Sequence, residues 1–185
     1  MSFYVDTLKA EWARSNPDLS KVGKLLTQTK ISLLSIQVAP GSSLPSTADM
    51  LLARDVLEIG ALYSNKAEDP NAFERYFLQL KTYYFDLVSI LPESNNKWEI
   101  VGMNLMRLLA YNELSLFHTE LEVLDVNVLN DIRCVAYPVA LERYLIEGAY
   151  NRIFKAKAEL PSPAFSFFFE KLAVTVRYVY EITRH

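Results

Sequence analysis

The sequence predicts an all-α fold, a right-handed α-solenoid of helical hairpins, and three observations predict it. Residues 53 to 86 form two segments that are apolar around most of their circumference at helical spacing, joined by a short Asp-Pro turn. Val56, Ile59, Gly60 and Tyr63, then Ala72 and Tyr76, keep the mutual offsets at which tetratricopeptide-type helix pairs place their packing residues. The same alternation of apolar-periodic segment and short breaker continues along the 185 residues. That length suits a single helical-repeat domain over 1–185, with about nine or ten helices.

The elements follow in order. Residues 3 to 14 and 18 to 38 read as helices separated at Asn16-Pro17, because the proline restricts the residue before it and Asp18 can serve near the next N-terminus. Pro40 to Pro45 is a cluster of breakers and reads as a loop, after which Ser46 or Thr47 caps a helix over 47 to 64. Arg54, Asp55 and Glu58 share one arc of that helix and are expected to form its wet face, while the apolar remainder needs two neighbours to cover it. Gly60 in mid-helix costs roughly 1 kcal/mol against Ala, which makes sense if a partner packs closely there.

Residues 71 to 90 repeat the arrangement, with Phe73, Tyr76, Phe77, Leu80, Tyr84 and Leu87 as one stripe and Leu78 and Phe85 facing a second neighbour. Its wet stripe, Arg75, Gln79, Thr82 and Asp86, is narrow. Pro92 is placed to open the next helix, to residue 110, since its missing N–H is harmless at a first position. A tight turn near Asn112 leads to a helix over 113 to 124, completing a hairpin. Residues 125 to 137 are less regular and read as a short helix with loops. Pro138 is expected to start a helix through Gly148, partnered by residues 149 to 158. Pro161 and Pro163 then break the chain before a helix over 164 to 182, where spacing favours helix although AVTVRYVY has high β propensity. That helix runs to Arg184-His185 without a capping glycine or a polar tail, so a following segment is expected.

Composition bounds the function. The hydrophobic fraction of 51%, with 12% aromatic and 22% charged residues, supplies a well-buried core without metal or disulfide. A formal charge of −3 gives no positive field for a phosphate backbone, so nucleic acid is not an expected partner. No run of 18 uncharged apolar residues is present, and the N-terminal residues lack the pattern of a secretory signal, so no membrane partner is expected. A single cysteine, Cys134, permits no intrachain disulfide and fits a reducing compartment.

Candidate chemistry is sparse. The five glycines are too far apart for a phosphate-cradling loop, so no nucleotide cofactor is expected. His118 lacks the second histidine of a helical zinc site, so no metal is expected. A Cys134/His118 dyad would need a helix face and an irregular segment to meet, and the ordinary role of Cys134 is that of a small buried hydrophobe. With no catalytic residues, function rests on surface. Arg54, Glu58, Arg75 and Asp86 are the candidate interface residues, although a solvated helix face is the more ordinary reading of any single one.

The strings LARDVLEIGALYS, FERYFLQLKTYYFD, LPES, GMNLMRLLAYNELSLFHTELEVL and PVALERYLIEGAYNRIFKAK resemble the small PCI-family subunits of the proteasome regulatory-particle lid, over about residues 5 to 185. The resemblance implies a tetratricopeptide-like helical arm followed by a winged-helix module and a terminal helix, both expected beyond residue 185. It also implies a non-catalytic, cytoplasmic and nuclear scaffold in a hetero-oligomeric complex, whose partners are other lid subunits and a ubiquitin-receptor subunit. Small PCI subunits of the signalosome or of a translation initiation factor share this architecture and form the alternative.

Overall fold

A computed structural model describes residues 2–13, 18–37 and 46–183. The breaker cluster at 40 to 45, the Asn16-Pro17 boundary and the chain end at Arg184-His185 lie outside them. The described residues carry ten α-helices: α1 Ser2–Trp12, α2 Leu19–Gln37, α3 Thr47–Lys66, α4 Pro70–Lys81, α5 Lys97–Ala110, α6 Leu114–Glu122, α7 Val126–Asp131, α8 Arg133–Ile146, α9 Tyr150–Ala156 and α10 Ser166–Thr183. There is no strand among the described residues, and the β-prone stretch 173 to 180 is helical inside α10. The chain divides into two compact units, Met1–Ser94 and Asn95–His185.

Three helix pairs, α3/α4, α5/α6 and α8/α9, turn on the same three-residue corner. The middle residue is left-handed in each case: Glu68 (φ 58°), Asn112 (φ 58°) and Gly148 (φ 65°). The residue after it donates its N–H back across the corner, Asp69 to Ser64 at 2.9 Å, Glu113 to Leu108 at 2.8 Å and Ala149 to Tyr144 at 2.9 Å. This satisfies a carbonyl that the ending helix would otherwise leave open. At the first corner the next helix starts at once, because the Asp69 carboxylate accepts the Ala72 N–H at 2.9 Å and Pro70 occupies a first-turn position.

The first unit is held by the α3/α4 hairpin, with α1 and α2 packed beside it. Ser46 caps α3 by accepting the Asp49 N–H at 3.3 Å, with Asp49 in the first turn and Lys66 in the last, as the helix dipole favours. Val56, Ile59 and Ala61 of α3 meet Phe73, Tyr76, Phe77 and Leu80 of α4 in a dry core. Gly60 is a point of close approach: a methyl group there would collide with the Tyr76 ring, whose Cζ and Cδ1 lie 2.6 and 2.7 Å from where it would sit. Close packing does explain Gly60, and the partner is a side chain.

In the second unit α5 is the hub. It is buried along almost its whole length and packs on α6, α8 and α10. Phe168, Phe169, Leu172 and Val176 supply the stripe that α10 contributes to the core, and Phe165, in the turn just before α10, is buried with them. Each such side chain contributes about 2 to 3 kcal/mol of transfer free energy.

Four expectations about the elements are corrected. The helix over 71 to 90 is α-helical only to Lys81, then becomes a π-helical turn, Thr82–Asp86, closed by the Leu87 N–H on the Thr82 carbonyl at 3.1 Å. The wider turn accompanies the seating of Tyr84, whose hydroxyl reaches Glu58. Leu78, expected to face a second neighbour, is exposed. Pro92 does not open a helix, since its carbonyl is held by Arg54 at 2.6 Å and helix geometry resumes only at Lys97. Pro138 lies inside α8 rather than at its start. It is tolerated because the Cys134 carbonyl, which loses its donor there, is turned against Gly102 of α5.

Candidate interaction surface

Of the four residues singled out as wet-face candidates, two are not wet. Arg54 is 8% exposed and Glu58 3%. Both sit on α3 where it faces the π-turn and the 87–94 segment, so the arc with Asp55 is an internal polar seam. Arg54 donates from Nη1 to the Pro92 carbonyl at 2.6 Å, and its Nε lies 3.6 Å from Glu58 Oε1. The Tyr84 hydroxyl donates to the same carboxylate oxygen at 3.0 Å. Burial, then the Glu58 charge and this hydrogen bond, push the Tyr84 phenol well above its ordinary value, against the opposing pull of Arg54. Asp55, at the rim, pairs with Lys9 of α1 at 2.5 Å. The chemistry of this seam is positioning: it ties α1, α3, the π-turn and the segment after it into one unit.

Arg75 and Asp86 are exposed, as the pattern predicts. Beneath Arg75, Lys30 of α2 stands over the Tyr76 ring with Nζ 4.0 Å from its centroid. Burial, with Arg75 nearby, lowers the Lys30 ammonium from its ordinary value. Burial, reinforced by Tyr63 and opposed by Arg75, raises the Tyr76 phenol to about 12.

The Cys134/His118 pair does not read as a nucleophile and its base. Burial, with Glu99 adding to it and Arg133 opposing, raises the Cys134 thiol, which disfavours the thiolate that nucleophilic attack requires. His118 is more than half exposed and directs Nε2 to Glu142 Oε1 of α8 at 3.4 Å. Among the described residues no group of three or more His, Cys, Asp or Glu is close enough to hold a metal ion, and no helix is long and apolar enough to cross a membrane. A groove of about 250 Å³ in the second unit is lined by Leu109, Leu145, Leu172 and Val176, with Tyr150 its one titratable group. Such a lining can hold an apolar side chain; it gathers no acidic, basic or thiol side chain.

Two features were missed by sequence reasoning. One is the burial of Arg54 and Glu58, whose only signal was the nearby Tyr84 on the facing stripe. The other is the outer side of α6 and the start of α7, where Leu116, Val123 and Val126 are exposed.

Hairpins with identical corners and charged side chains engaged in internal seams define an all-α helical-repeat protein. The chain belongs to the CSN8/PSMD8/EIF3K family, whose model matches residues 95–180. The 26S proteasome non-ATPase regulatory subunit 8 homolog A of Arabidopsis thaliana is 39% identical over 175 residues, covering 93% of this chain and 64% of the relative. The 26S proteasome regulatory subunit RPN12 of Saccharomyces cerevisiae is 36% identical over 146 residues, 76% of this chain and 53% of the relative. The 26S proteasome non-ATPase regulatory subunit 8 of Caenorhabditis elegans is 34% identical over 179 residues, 96% of this chain and 68% of the relative. The chain therefore spans between about half and two-thirds of the length of these relatives.

Proposed function

We propose that this chain is part of a non-catalytic structural subunit of the proteasome regulatory-particle lid, supplying protein–protein contacts for assembly of the lid and regulatory particle in ubiquitin-dependent protein degradation. The observation that carries the reading is that plant, yeast and nematode relatives aligned over 76 to 96% of the chain are all named 26S proteasome regulatory subunits. The disposition of its ionisable groups agrees with a scaffold, since Glu58 is engaged by both Arg54 and Tyr84 and burial raises the Cys134 thiol.

In this reading the partners are other lid subunits and a ubiquitin-receptor subunit, met in cytoplasm and nucleus. Arg75 and Asp86, exposed on the first unit, are interface residues, whereas Arg54 and Glu58 act from within by fixing the shape that is recognised. The additional length of the relatives accommodates the winged-helix module and terminal helix that PCI subunits carry.

Mass spectrometry of complexes purified natively through a tag on the full-length protein tests the reading. Stoichiometric regulatory-particle peptides support it. Signalosome or initiation-factor peptides in their place would move the chain to one of the other two branches of the family, and recovery of the protein alone would contradict a scaffold role.

A further inference from the structure

The outer side of α6 and the turn into α7 is an apolar helix face with no partner among the described residues. Leu116 and Val123 are seven residues apart, two helical turns, and so share a face; they are 52% and 50% exposed, and Val126 at the start of α7 is 71% exposed. The buried side of the same stretch is already served, by Phe117 and Leu124. Three medium-to-large aliphatic side chains left exposed along α6 and at the start of α7 cost free energy that a covering partner would return, at about 25 cal/mol per Å² of apolar surface removed from solvent.

The charge around this face selects the kind of partner. Between Arg107 and Arg133 the sequence has no Lys or Arg, while it carries Glu113, Glu120, Glu122, Asp125 and Asp131. Glu113 is engaged by the Arg107 guanidinium at 3.6 Å. Glu122, Asp125 and Asp131 are exposed and have no ion pair among the described residues. The nearest cation in sequence is turned away, since Arg133 donates to the Glu159 carbonyl at 3.0 Å. An apolar strip rimmed by unneutralised carboxylates repels an acidic partner and complements a basic one.

We propose that the α6/α7 face docks a cationic amphipathic helix of another protein, with Leu116, Val123 and Val126 receiving its apolar stripe and Glu122, Asp125 and Asp131 meeting its Lys and Arg side chains. The recognition mode is a helix laid along an apolar strip and read at three- and four-residue spacing. The proposal deepens the assembly function and rests on it for the identity of the complex, while the chemistry of the partner segment comes from this surface alone.

The test places a photo-crosslinking amino acid at Val126 of the full-length protein in cells and sequences the crosslinked peptide from native complexes. The expected crosslink is to a segment of another chain with net positive charge and apolar residues three and four apart. The triple variant Glu122→Lys, Asp125→Lys, Asp131→Lys lowers its yield at least fivefold, with an unchanged far-ultraviolet dichroism spectrum. A crosslink to an acidic or uncharged segment, a crosslink to a second copy, or none at all in intact regulatory particles overturns the proposal and leaves the assembly function standing. If the full-length protein is absent from the regulatory particle, the assembly function falls. The surface is then decided by fluorescence anisotropy with a synthetic Leu/Lys amphipathic helix. Binding at least tenfold weaker to the triple variant than to wild type upholds the docking site, and equal binding overturns it.

Discussion

Gly102 of α5 lies directly against the backbone carbonyl of Cys134 in α8. The two residues solve one problem together. Pro138 cannot donate the N–H that the Cys134 carbonyl would accept in an unbroken helix, and the freed carbonyl is accommodated only because α5 has no side chain at the crossing. A methyl group on Gly102 would collide with that carbonyl oxygen and lie 2.9 Å from both Cys134 C and Phe165 Cζ.

Gly102→Ala is therefore expected to destabilise the protein although it replaces a mid-helix glycine. Helix propensity favours the substitution by about 1 kcal/mol, but two backbones and a buried ring must move apart, and overpacking of this kind costs about 1 to 3 kcal/mol. A lower urea midpoint than wild type is the predicted outcome; an equal or higher midpoint would mean that α5 and α8 do not cross this closely.

The corners give a second expectation with opposite signs at equivalent positions. Glu68 holds a left-handed conformation that costs a residue with a side chain roughly 1 kcal/mol, and Gly148 adopts it freely. Glu68→Gly should stabilise the fold and raise the melting temperature, and Gly148→Ala should destabilise it and lower the melting temperature, each by about 0.5 to 1 kcal/mol of unfolding free energy. Nothing lies within 4 Å of a methyl group on Gly148, so its effect reads backbone strain alone. Thermal melts of both variants check this, and a neutral Gly148→Ala would refute the left-handed corner.

Charge reversal separates the two kinds of candidate residue. Glu58→Arg removes the acceptor of the Tyr84 hydroxyl and sets a second guanidinium beside buried Arg54, so a loss of about 3 to 5 kcal/mol is expected. Arg75→Glu, on an exposed face, should stay within about 0.5 kcal/mol of wild type. Chemical denaturation of the two variants is decisive, because comparable stabilities would return Glu58 to the surface.

Alkaline pH should weaken the first unit. The Tyr76 phenol is raised from its ordinary 10.0 to about 12 in the folded chain, so its protonated form is favoured by folding. That stabilisation is complete below pH 10 and is lost as pH rises from there toward about 12. Tyr84 shifts in the same direction, so Tyr76→Phe should flatten the fall in stability between pH 10 and 12 without removing it. Urea titrations across that range, followed by tyrosinate absorbance, measure the slope; a steeper fall in Tyr76→Phe would contradict the assignment.

Much of the fold was legible because helical period survives in single sequences. Gly148 and Asn112 mark their corners openly, as residues that tolerate left-handed backbone. Glu68 does not, and its corner was readable only through the Asp69-Pro70 that follows. Proline misled twice for a physical reason: a first-turn position is its common place, but Pro92 is held outside a helix by Arg54, and Pro138 survives inside one through Gly102. The candidate surface was half legible. An arc of charges looks the same on a helical wheel whether it faces water or a buried tyrosine, and nothing local to Arg54 and Glu58 reveals that Tyr84 will arrive across the hairpin.

Depletion of the full-length protein from cells, followed by native-gel analysis of proteasomes, tests the scaffold reading most directly. Accumulation of incomplete regulatory particles and free core particle, with normal specific activity in whatever assembles fully, is the predicted result. Normal levels of assembled particles, or fully assembled particles lacking a chemical step, would contradict it.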